Sequence, residues 1–269
     1  MTSLWKSINY KTPIKYFLNT YIREYDISKA NISALLQQGV ISKPLYESFL
    51  NMDKREREIK IGLWIRKDRS IYRSIQNGII EAKRLFCESN NIEDYRIVSI
   101  KNDAIFLEGN LVKNTSFYPY NFKIKNTYTI YMQLKNLEVY YGDSIDPNTG
   151  LVNTHIDIKG IPDETLVLHK NGMLDLICDI CYRLQRENIS DTMSYLSNFY
   201  SDFIQRKLPK EYYRDFDSFS GFTFHTYIRK CSLPEISDDM IPVVDINRNL
   251  SILRDLMSIV IDVYNKQMR

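Results

Sequence analysis

The sequence predicts a mixed α+β fold, with an antiparallel sheet that carries helices, a second sheet extension and a helical C-terminal part. Three observations predict it. Apolar residues recur at helical spacing in stretches between residues 28 and 88 and again after residue 171. Two β-rich runs flank a polar turn at residues 97–107. Tyr-rich runs typical of strands follow, and we therefore place a soft domain boundary near residue 112.

Composition indicates a globular protein. The chain has 269 residues, of which 44% are hydrophobic and 26% charged, so it can bury a substantial core. Only nine glycines and eight prolines are present, which argues against disorder or a fibrous repeat. The N-terminal segment lacks the apolar stretch of a secretory signal, and no apolar run approaches the roughly 20 residues of a membrane span. We expect a cytoplasmic protein that has no membrane partner.

Net charge, amino-acid usage and cysteine content give three further expectations about partners, origin and redox state. The net charge of +3 is a weak bias toward acidic partners. Heavy use of Tyr, Ile, Asn and Lys suggests an A/T-rich genome such as that of a phage or virus, which would make the location the host cytoplasm. The four cysteines are too few for a disulfide framework, so reduced thiols are expected. Cys178 and Cys181 form a CxxC, but they fall inside an amphipathic helix and are expected in the core.

The N-terminal elements follow from apolar spacing and from helix start and stop signals. Residues 5–20 have a loosely helical pattern, after which residues 21–27 read as extended. A helix is predicted from Ser28 to Gly39, where a glycine suits a left-handed stop. A second helix is predicted to begin at Ser42.

A basic stretch at residues 53–73 and a long helix at 70–88 come next. The basic stretch reads as helix and holds eight Lys or Arg against four Asp or Glu. Its interleaved acids are typical of a solvated helix face, which is the alternative to a binding surface. As a binding surface, it would hold triphosphate or template backbone through Lys54, Arg55, Arg57, Lys60, Arg66 and Lys67.

The remaining elements are a hairpin, further strands and three helices. The hairpin turns at Lys101, Asn102 and Asp103, because Asn-Asp tolerates turn geometry between two β-rich runs. Strands are predicted within residues 126–143 and 151–161, with a turn at 147–150 between them. Helices are predicted at 172–187, 190–208 and 246–267.

Two aspartates stand where predicted strands end. Asp26 lies where an extended segment gives way to a helix, and Asp103 lies at the tip of the hairpin. Two-metal phosphoryl transfer needs carboxylates brought together from distant strands, and Mg²⁺ prefers such oxygen ligands while keeping several waters. Each aspartate also has a purely structural interpretation, Asp26 as a helix cap and Asp103 as a turn residue.

The segment around these aspartates resembles the palm of family A DNA polymerases over about residues 20–110. EYDISKANISALL is similar to the first palm motif, a strand that ends in a metal-binding aspartate, and RIVSIKNDAIFLEG is similar to the third, a hairpin with an aspartate at its tip. IQNGIIEAKRLF resembles the glutamine and small-residue helix upstream of that hairpin. The resemblance implies that Asp26 and Asp103 are catalytic and bind Mg²⁺. It also implies that Gln76, Lys101 and Asn102 contact nucleic acid or nucleotide, and that Tyr25 shapes a sugar pocket.

Two departures accompany the resemblance. The third motif is usually His-Asp-Glu, whereas this chain has Asn102, Asp103 and Ala104. The fingers motif of the family has no clear match. A second stretch, VYYGDSID, is similar to the metal-binding hairpin of family B polymerases and would assign Asp143 and Asp146 to the metals, although a Gly- and Pro-containing turn favours acids for structural reasons as well.

The function implied is that of a polymerase-like nucleotidyltransferase palm at residues 1–112, followed by a β-hairpin and helical domain of unassigned role at 113–269. The expected partner is nucleic acid, with DNA ahead of RNA, and a protein of a replication or transcription complex is a further candidate. Two alternatives stay open. One is a catalytically inactive palm-like module that binds nucleic acid or such a partner, and the other is a viral structural or interaction protein.

Overall fold

The computed structural model describes residues 3–145, 152–160, 172–213 and 243–268. Within these ranges the protein has seven α-helices and an antiparallel sheet of eight strands, and its C-terminal part is helical. The predicted mixed α+β class is therefore confirmed. The predicted turn at 147–150 lies outside the described residues. None of the helices that the structure describes combines the length and apolar character needed to cross a bilayer.

The strands follow one hydrogen-bonded order, β1-β3-β4-β2-β6-β7-β8, and β5 pairs with β6. Their bounds are β1 Asn9–Lys11, β2 Tyr16–Ile27, β3 Ile97–Lys101, β4 Ala104–Glu108, β5 Ser116–Phe117, β6 Tyr120–Leu134, β7 Leu137–Ile145 and β8 Val152–Lys159. The helices are α1 Ala30–Gln37, α2 Lys43–Leu50, α3 Lys54–Lys67, α4 Ser70–Ser89, α5 Gly172–Arg186, α6 Ile189–Ile204 and α7 Val243–Gln267.

The chain divides into two compact units. The first unit comprises residues 1–13 and 20–127, and the second comprises residues 14–19 and 128–269. The division falls inside β2 and β6, so each of these strands contributes residues to both units. The boundary expected near residue 112 lies in the loop between β4 and β5.

Strand direction in the first unit determines which strand ends meet. Both β2 and β3 pair with β4 in antiparallel fashion, so β2 and β3 run parallel to each other with β4 between them. A parallel pair needs a long crossover connection, and helices α1 to α4 provide it. The C-terminal ends of β2 and β3 therefore lie at the same edge of the sheet.

The core of the first unit forms where α1 and α4 pack with the sheet. Gly78 on α4 permits close approach, because a Cβ at this position would lie 2.5 Å from the Cβ of Ala34 on α1. Rings add to the packing, since the centroid of Phe86 lies 4.2 Å from that of Phe122 and 5.3 Å from that of Tyr25. The local helix signals are also observed. Gly39 has the left-handed φ of 68° expected after α1, and α2 begins directly after Ser42.

The helical conformation predicted for residues 5–20 is wrong. Beyond a single 3-10 turn at Leu4–Lys6, this stretch contains β1 and the first part of β2. β1 pairs with β3, with Tyr10 opposite Ile100. Pairing with a strand that lies ninety residues away in the chain decided the conformation, whereas the local apolar spacing did not.

The core of the second unit lies between one face of the β6-β7-β8 strands and helices α5 to α7. Alternate residues along β6 and β7, such as Met132 and Val139, pack against these helices, and residues of the opposite face are buried as well. The CxxC is part of this packing. Cys181 is fully buried in α5, which confirms the core position expected for it, whereas Cys178 is only partly buried, and Cys87, Cys178 and Cys181 are free thiols. Cys231 lies outside the described residues.

Candidate active site

Asp26 and Asp103 lie at the same edge of the sheet. Asp26 is the penultimate residue of β2, and its Cα partner in β4 is Ala104. Asp103 precedes Ala104 in the tight turn between β3 and β4, and its carbonyl accepts a hydrogen bond of 3.3 Å from the backbone N–H of Ile27. The backbones that carry the two aspartates are therefore adjacent, although 77 positions separate them in the chain.

The turn that carries Asp103 is held by the N-terminal segment. Asn102 has a left-handed φ of 51°, which asparagine tolerates, and its backbone N–H donates to the carbonyl of Ile8 at 2.8 Å. The Lys101 ammonium donates to the Asn9 side chain at 2.9 Å. Lys101 and Asn102 therefore contribute to the shape of the turn, and neither contact was expected from the sequence.

Burial and neighbouring charges shift the pKa of both carboxylates. Burial and the nearby charge of Asp103 raise the pKa of Asp26 to about 6, and Glu24 contributes in the same direction. Lys125 and Lys54 oppose this rise. Burial also raises the pKa of Asp103, while its own backbone N–H, Lys125 and Lys83 act to lower it. The charge of Asp103 therefore disfavours ionisation of Asp26, and a nearby cation would offset this repulsion.

Glu24 is a third acid near this edge that sequence reasoning missed. It is buried, its carboxylate pairs with the Lys125 ammonium at 3.4 Å, and it accepts a hydrogen bond of 2.7 Å from the Asn126 amide. A signal was present, because Glu24 and Asp26 are two positions apart in a strand and such residues share one face. The pairing with Lys125 depends on strand contacts that the sequence does not reveal.

Lys83 is a buried cation that sequence reasoning also missed. Its side chain is fully buried in α4, and its ammonium donates to the Ser7 carbonyl at 2.5 Å. Burial lowers the pKa of Lys83 to about 8, against the opposing influence of Cys87 and Asp103. The signal was a lysine within the apolar stripe of a helix, where an ammonium needs partners.

The side chains at this edge include the oxygen ligands that Mg²⁺ prefers. Asp26 and Asp103 are hard oxygen ligands, and two carboxylates suffice for an ion that keeps several waters. Glu24 is already engaged by Lys125 and Asn126. Among the described residues, no group of three or more His, Cys, Asp or Glu side chains is arranged to hold a metal. The residues thus fit a water-rich, two-carboxylate site rather than an all-protein cage.

The structure bears on two further interpretations, that of Asp26 as a helix cap and that of Tyr25 as part of a sugar pocket. Asp26 is not the cap of α1, because the N-cap residue is Lys29 and no side chain caps this helix. Tyr25, which was predicted to shape a sugar pocket, lies in the core. Its side chain is 1% exposed, packs on Phe86, and accepts a hydrogen bond of 3.2 Å from the backbone N–H of Val112. Tyr25 faces the core because it alternates with Asp26 along β2.

Gln76 lies on α4, where its amide donates to the Tyr72 hydroxyl at 2.8 Å. Gly78, two residues further on, serves the close packing of α1 and α4 described above, and its carbonyl accepts a hydrogen bond from the Tyr120 hydroxyl at 2.7 Å. Packing therefore accounts for the small residue of the predicted motif.

The six cations of α3 that were predicted to hold triphosphate or template backbone fall into two groups. Three are engaged within the unit. Lys54 pairs with Glu58 at 3.8 Å, Lys60 pairs with Glu56 at 2.8 Å, and Arg57 donates to the Met52 carbonyl at 3.2 Å. Within the described part of the chain the other three, Arg55, Arg66 and Lys67, are exposed and make no ion pair.

The alternative metal hairpin is different in structure. Asp143 lies within β7 opposite Thr154 of β8, and its carboxylate is in an ion pair with Arg186 and accepts from the Thr154 hydroxyl at 3.2 Å. Asp146 lies outside the described residues. Asp143 is thus a strand residue with its own partners.

Almost the whole length of the chain was found similar to a protein-family model. The family model described as "Bacteriophage PBS1 gene 130 protein" matches residues 1–262. A comparison with curated proteins gives no match.

Proposed function

The chain belongs to the bacteriophage PBS1 gene 130 protein family, and from the pair of aspartates at one sheet edge we propose that it is a phage palm-like module that binds Mg²⁺ and acts on nucleic acid by nucleotidyl transfer. The observation that carries the proposal is the convergence of Asp26, at the end of β2, with Asp103, in the β3–β4 turn. Membership in a phage protein family agrees with the viral origin expected from composition.

The order of elements supports the proposal. A strand with Asp26 as its penultimate residue, a helical crossover, and a hairpin tipped by Asp103 follow one another, and β4 pairs with β2. This is the arrangement expected from the resemblance to the family A polymerase palm. Two metal ions, when bound, neutralise charge on a phosphoryl group and activate the attacking hydroxyl. Asp26 and Asp103 would hold them, while Lys54 and Lys125 add positive potential near the carboxylates.

The first test measures metal binding directly. Isothermal titration calorimetry with Mn²⁺ is expected to show binding to the wild type and at least about tenfold weaker binding to Asp26→Asn and Asp103→Asn, because each variant removes one carboxylate ligand. The matched control is Asp94→Asn, an exposed acid of the same unit. Equal affinity of all four proteins would contradict the metal site.

The second test measures chemistry. Metal-dependent primer extension is expected for the wild type on a primed DNA template and is expected to be lost in Asp103→Ala. Extension that survives this substitution would show that Asp103 takes no part in it.

A catalytically inactive module is the second candidate function, and one observation favours it. The neighbours of Asp103 supply no further carboxylate, since Ala104 is a buried strand residue and Asn102 has the left-handed turn conformation. Mn²⁺ binding without extension, together with nucleic-acid binding that weakens with salt, would favour this candidate. The absence of both metal and nucleic-acid binding would leave a structural or interaction role in the phage.

A further inference from the structure

The end of α3 and the start of α4 carry a group of cations whose side chains have no polar partner among the residues that the structure describes. Residues 66–73 contain four of them against the single carboxylate of Asp68. That carboxylate accepts from the backbone N–H and the hydroxyl of Ser70, at 2.8 and 2.7 Å. In the described part of the chain none of the four cations makes an ion pair or a hydrogen bond through its side chain. They are Arg66, Lys67, Arg69 and Arg73.

The helix dipoles favour the positions of only two of these four cations. Arg66 and Lys67 lie in the last turn of α3, where positive charge complements the helix dipole. Arg69 and Arg73 lie at the start of α4, where the dipole disfavours positive charge, and the first turn of α4 contains no acid. The two arginines therefore oppose the stability of the helix, and an anionic ligand would reverse that effect.

An aromatic side chain lies among the cations. Tyr72 is 50% exposed, and its hydroxyl accepts from the Gln76 amide at 2.8 Å, which limits how the ring can turn. Arg69, Arg73 and Gln76 lie on successive turns of α4, away from the buried face that includes Ile75. Cations beside an exposed ring match the chemistry of a nucleic-acid strand, in which phosphates alternate with bases.

We infer that this junction surface, formed by Arg66, Lys67, Arg69, Tyr72, Arg73 and Gln76, binds single-stranded nucleic acid. The cations pair with backbone phosphates and an unpaired base stacks on Tyr72. A single strand fits better than a duplex, because the face of a base is free to stack only when it is unpaired. The inference rests on the proposed function for its choice of nucleic acid, but it does not require the metal site.

The experiment measures fluorescence anisotropy of labelled oligo(dT) and oligo(U) in EDTA over a range of salt concentrations. The double variant Arg69→Ala, Arg73→Ala is compared with Arg84→Ala, Lys266→Ala, which removes the same charge from cations that are already paired with Glu81 and Asp262. The first is expected to bind at least about tenfold more weakly and to lower the salt slope by about 1.4, or roughly 0.7 per lost phosphate contact. The second is expected to bind like the wild type.

Tyr72 provides an independent measure of stacking. Tyr72→Ala is expected to bind roughly five- to a hundredfold more weakly, whereas Tyr72→Phe keeps the ring and is expected to keep the affinity. Equal losses in the two double variants, or an unchanged Tyr72→Ala, would overturn the inference. So would polyglutamate binding that matches oligo(dT) and depends on the same arginines without Tyr72, since that result identifies an acidic protein as the ligand.

The two proposals fail separately. Divalent ions are absent in EDTA, so an error in the Asp26–Asp103 site would leave these binding curves unchanged. An error in the junction surface would leave Mn²⁺ binding at the two aspartates intact.

Discussion

The Asp26 carboxyl is a side chain whose protonation depends on its position in the fold. Burial and the charge of Asp103 raise its pKa from 3.8 to about 6. The folded protein therefore holds a proton in a pH range in which the unfolded chain has released it. The resulting stabilisation is complete below 3.8 and is lost as the pH rises through about 6, so ionised Asp26 reduces stability at neutral pH.

Replacing this carboxyl is expected to stabilise the protein in the absence of metal. Asp26→Asn should raise the free energy of unfolding at neutral pH by about 1–2 kcal/mol, less than the full pKa shift implies because solvent partly screens the site. Near pH 3 the two proteins should be equally stable. Urea denaturation in EDTA across this pH range measures the difference, with Asp94→Asn as the control. Parallel pH profiles for wild type and Asp26→Asn would contradict the environment described for Asp26.

Among single residues, the sequence identified the two aspartates but not their companions. Asp26 and Asp103 stand at strand ends, which local patterns reveal. Glu24 and Lys83 have their polar partners in Lys125, Asn126 and the Ser7 carbonyl, which are distant from them in the chain. The resemblance placed Tyr25 in a sugar pocket, whereas strand alternation directs its side chain to the core.

At the scale of elements, the packing of α1 on α4 depends on a glycine. A Cβ on Gly78 would lie 2.5 Å from the Cβ and 2.7 Å from the Cα of Ala34, so the two helices would have to move apart. By contrast, a Cβ on Gly62 of α3 would have no atom within 4 Å. The two glycines therefore separate the effect of crowding from that of helix propensity.

Substitution of the two glycines by alanine is expected to have opposite effects. Gly78→Ala should lower the free energy of unfolding by about 1–3 kcal/mol, because overpacking outweighs the gain in helix propensity. Gly62→Ala should raise it by about 0.5–1 kcal/mol, because alanine is the better helix former and meets no neighbour. Chemical denaturation followed by far-UV circular dichroism measures both. A stabilised Gly78→Ala would show that α1 and α4 do not approach as closely as described.

The cations of α3 and of its junction with α4 also differ in whether they form ion pairs. The first part of α3 contains two ion pairs between its own side chains. Such pairs are what the alternating charges of a solvated helix face predict. The junction of α3 and α4 lacks such pairs in the part of the chain that the structure describes. Which cations are paired depends on side-chain geometry along each helix, and a count of charges over residues 53–73 does not distinguish them.

At the scale of the whole molecule, β2 and β6 link the two units. Each strand has residues in both units, so we expect the two units to unfold together. Both tryptophans, Trp5 and Trp64, belong to the first unit, so tryptophan fluorescence reports on that unit alone. A core substitution in the second unit can therefore test whether the units unfold together.

Leu256→Ala is expected to lower the stability of both units. Leu256 is fully buried in α7, and its truncation should cost about 2–5 kcal/mol. The fluorescence and circular dichroism midpoints in urea should fall together. Ile261→Ala, at an exposed site of the same helix, is the control and should change little. A fluorescence midpoint that stays at the wild-type value would mean that the units unfold independently.

The sequence by itself determined the class of the fold, most of its elements and the position of the two aspartates at strand ends. These features follow from apolar periodicity, turn residues and helix signals, which act over a few residues. Tertiary structure decided the rest: that residues 9–11 form a strand beside β3, that β4 separates β2 from β3, and that Lys83 and Glu24 have partners near the aspartates. The physical reason is that strand pairing and burial of charge depend on contacts between distant residues, which no local pattern encodes.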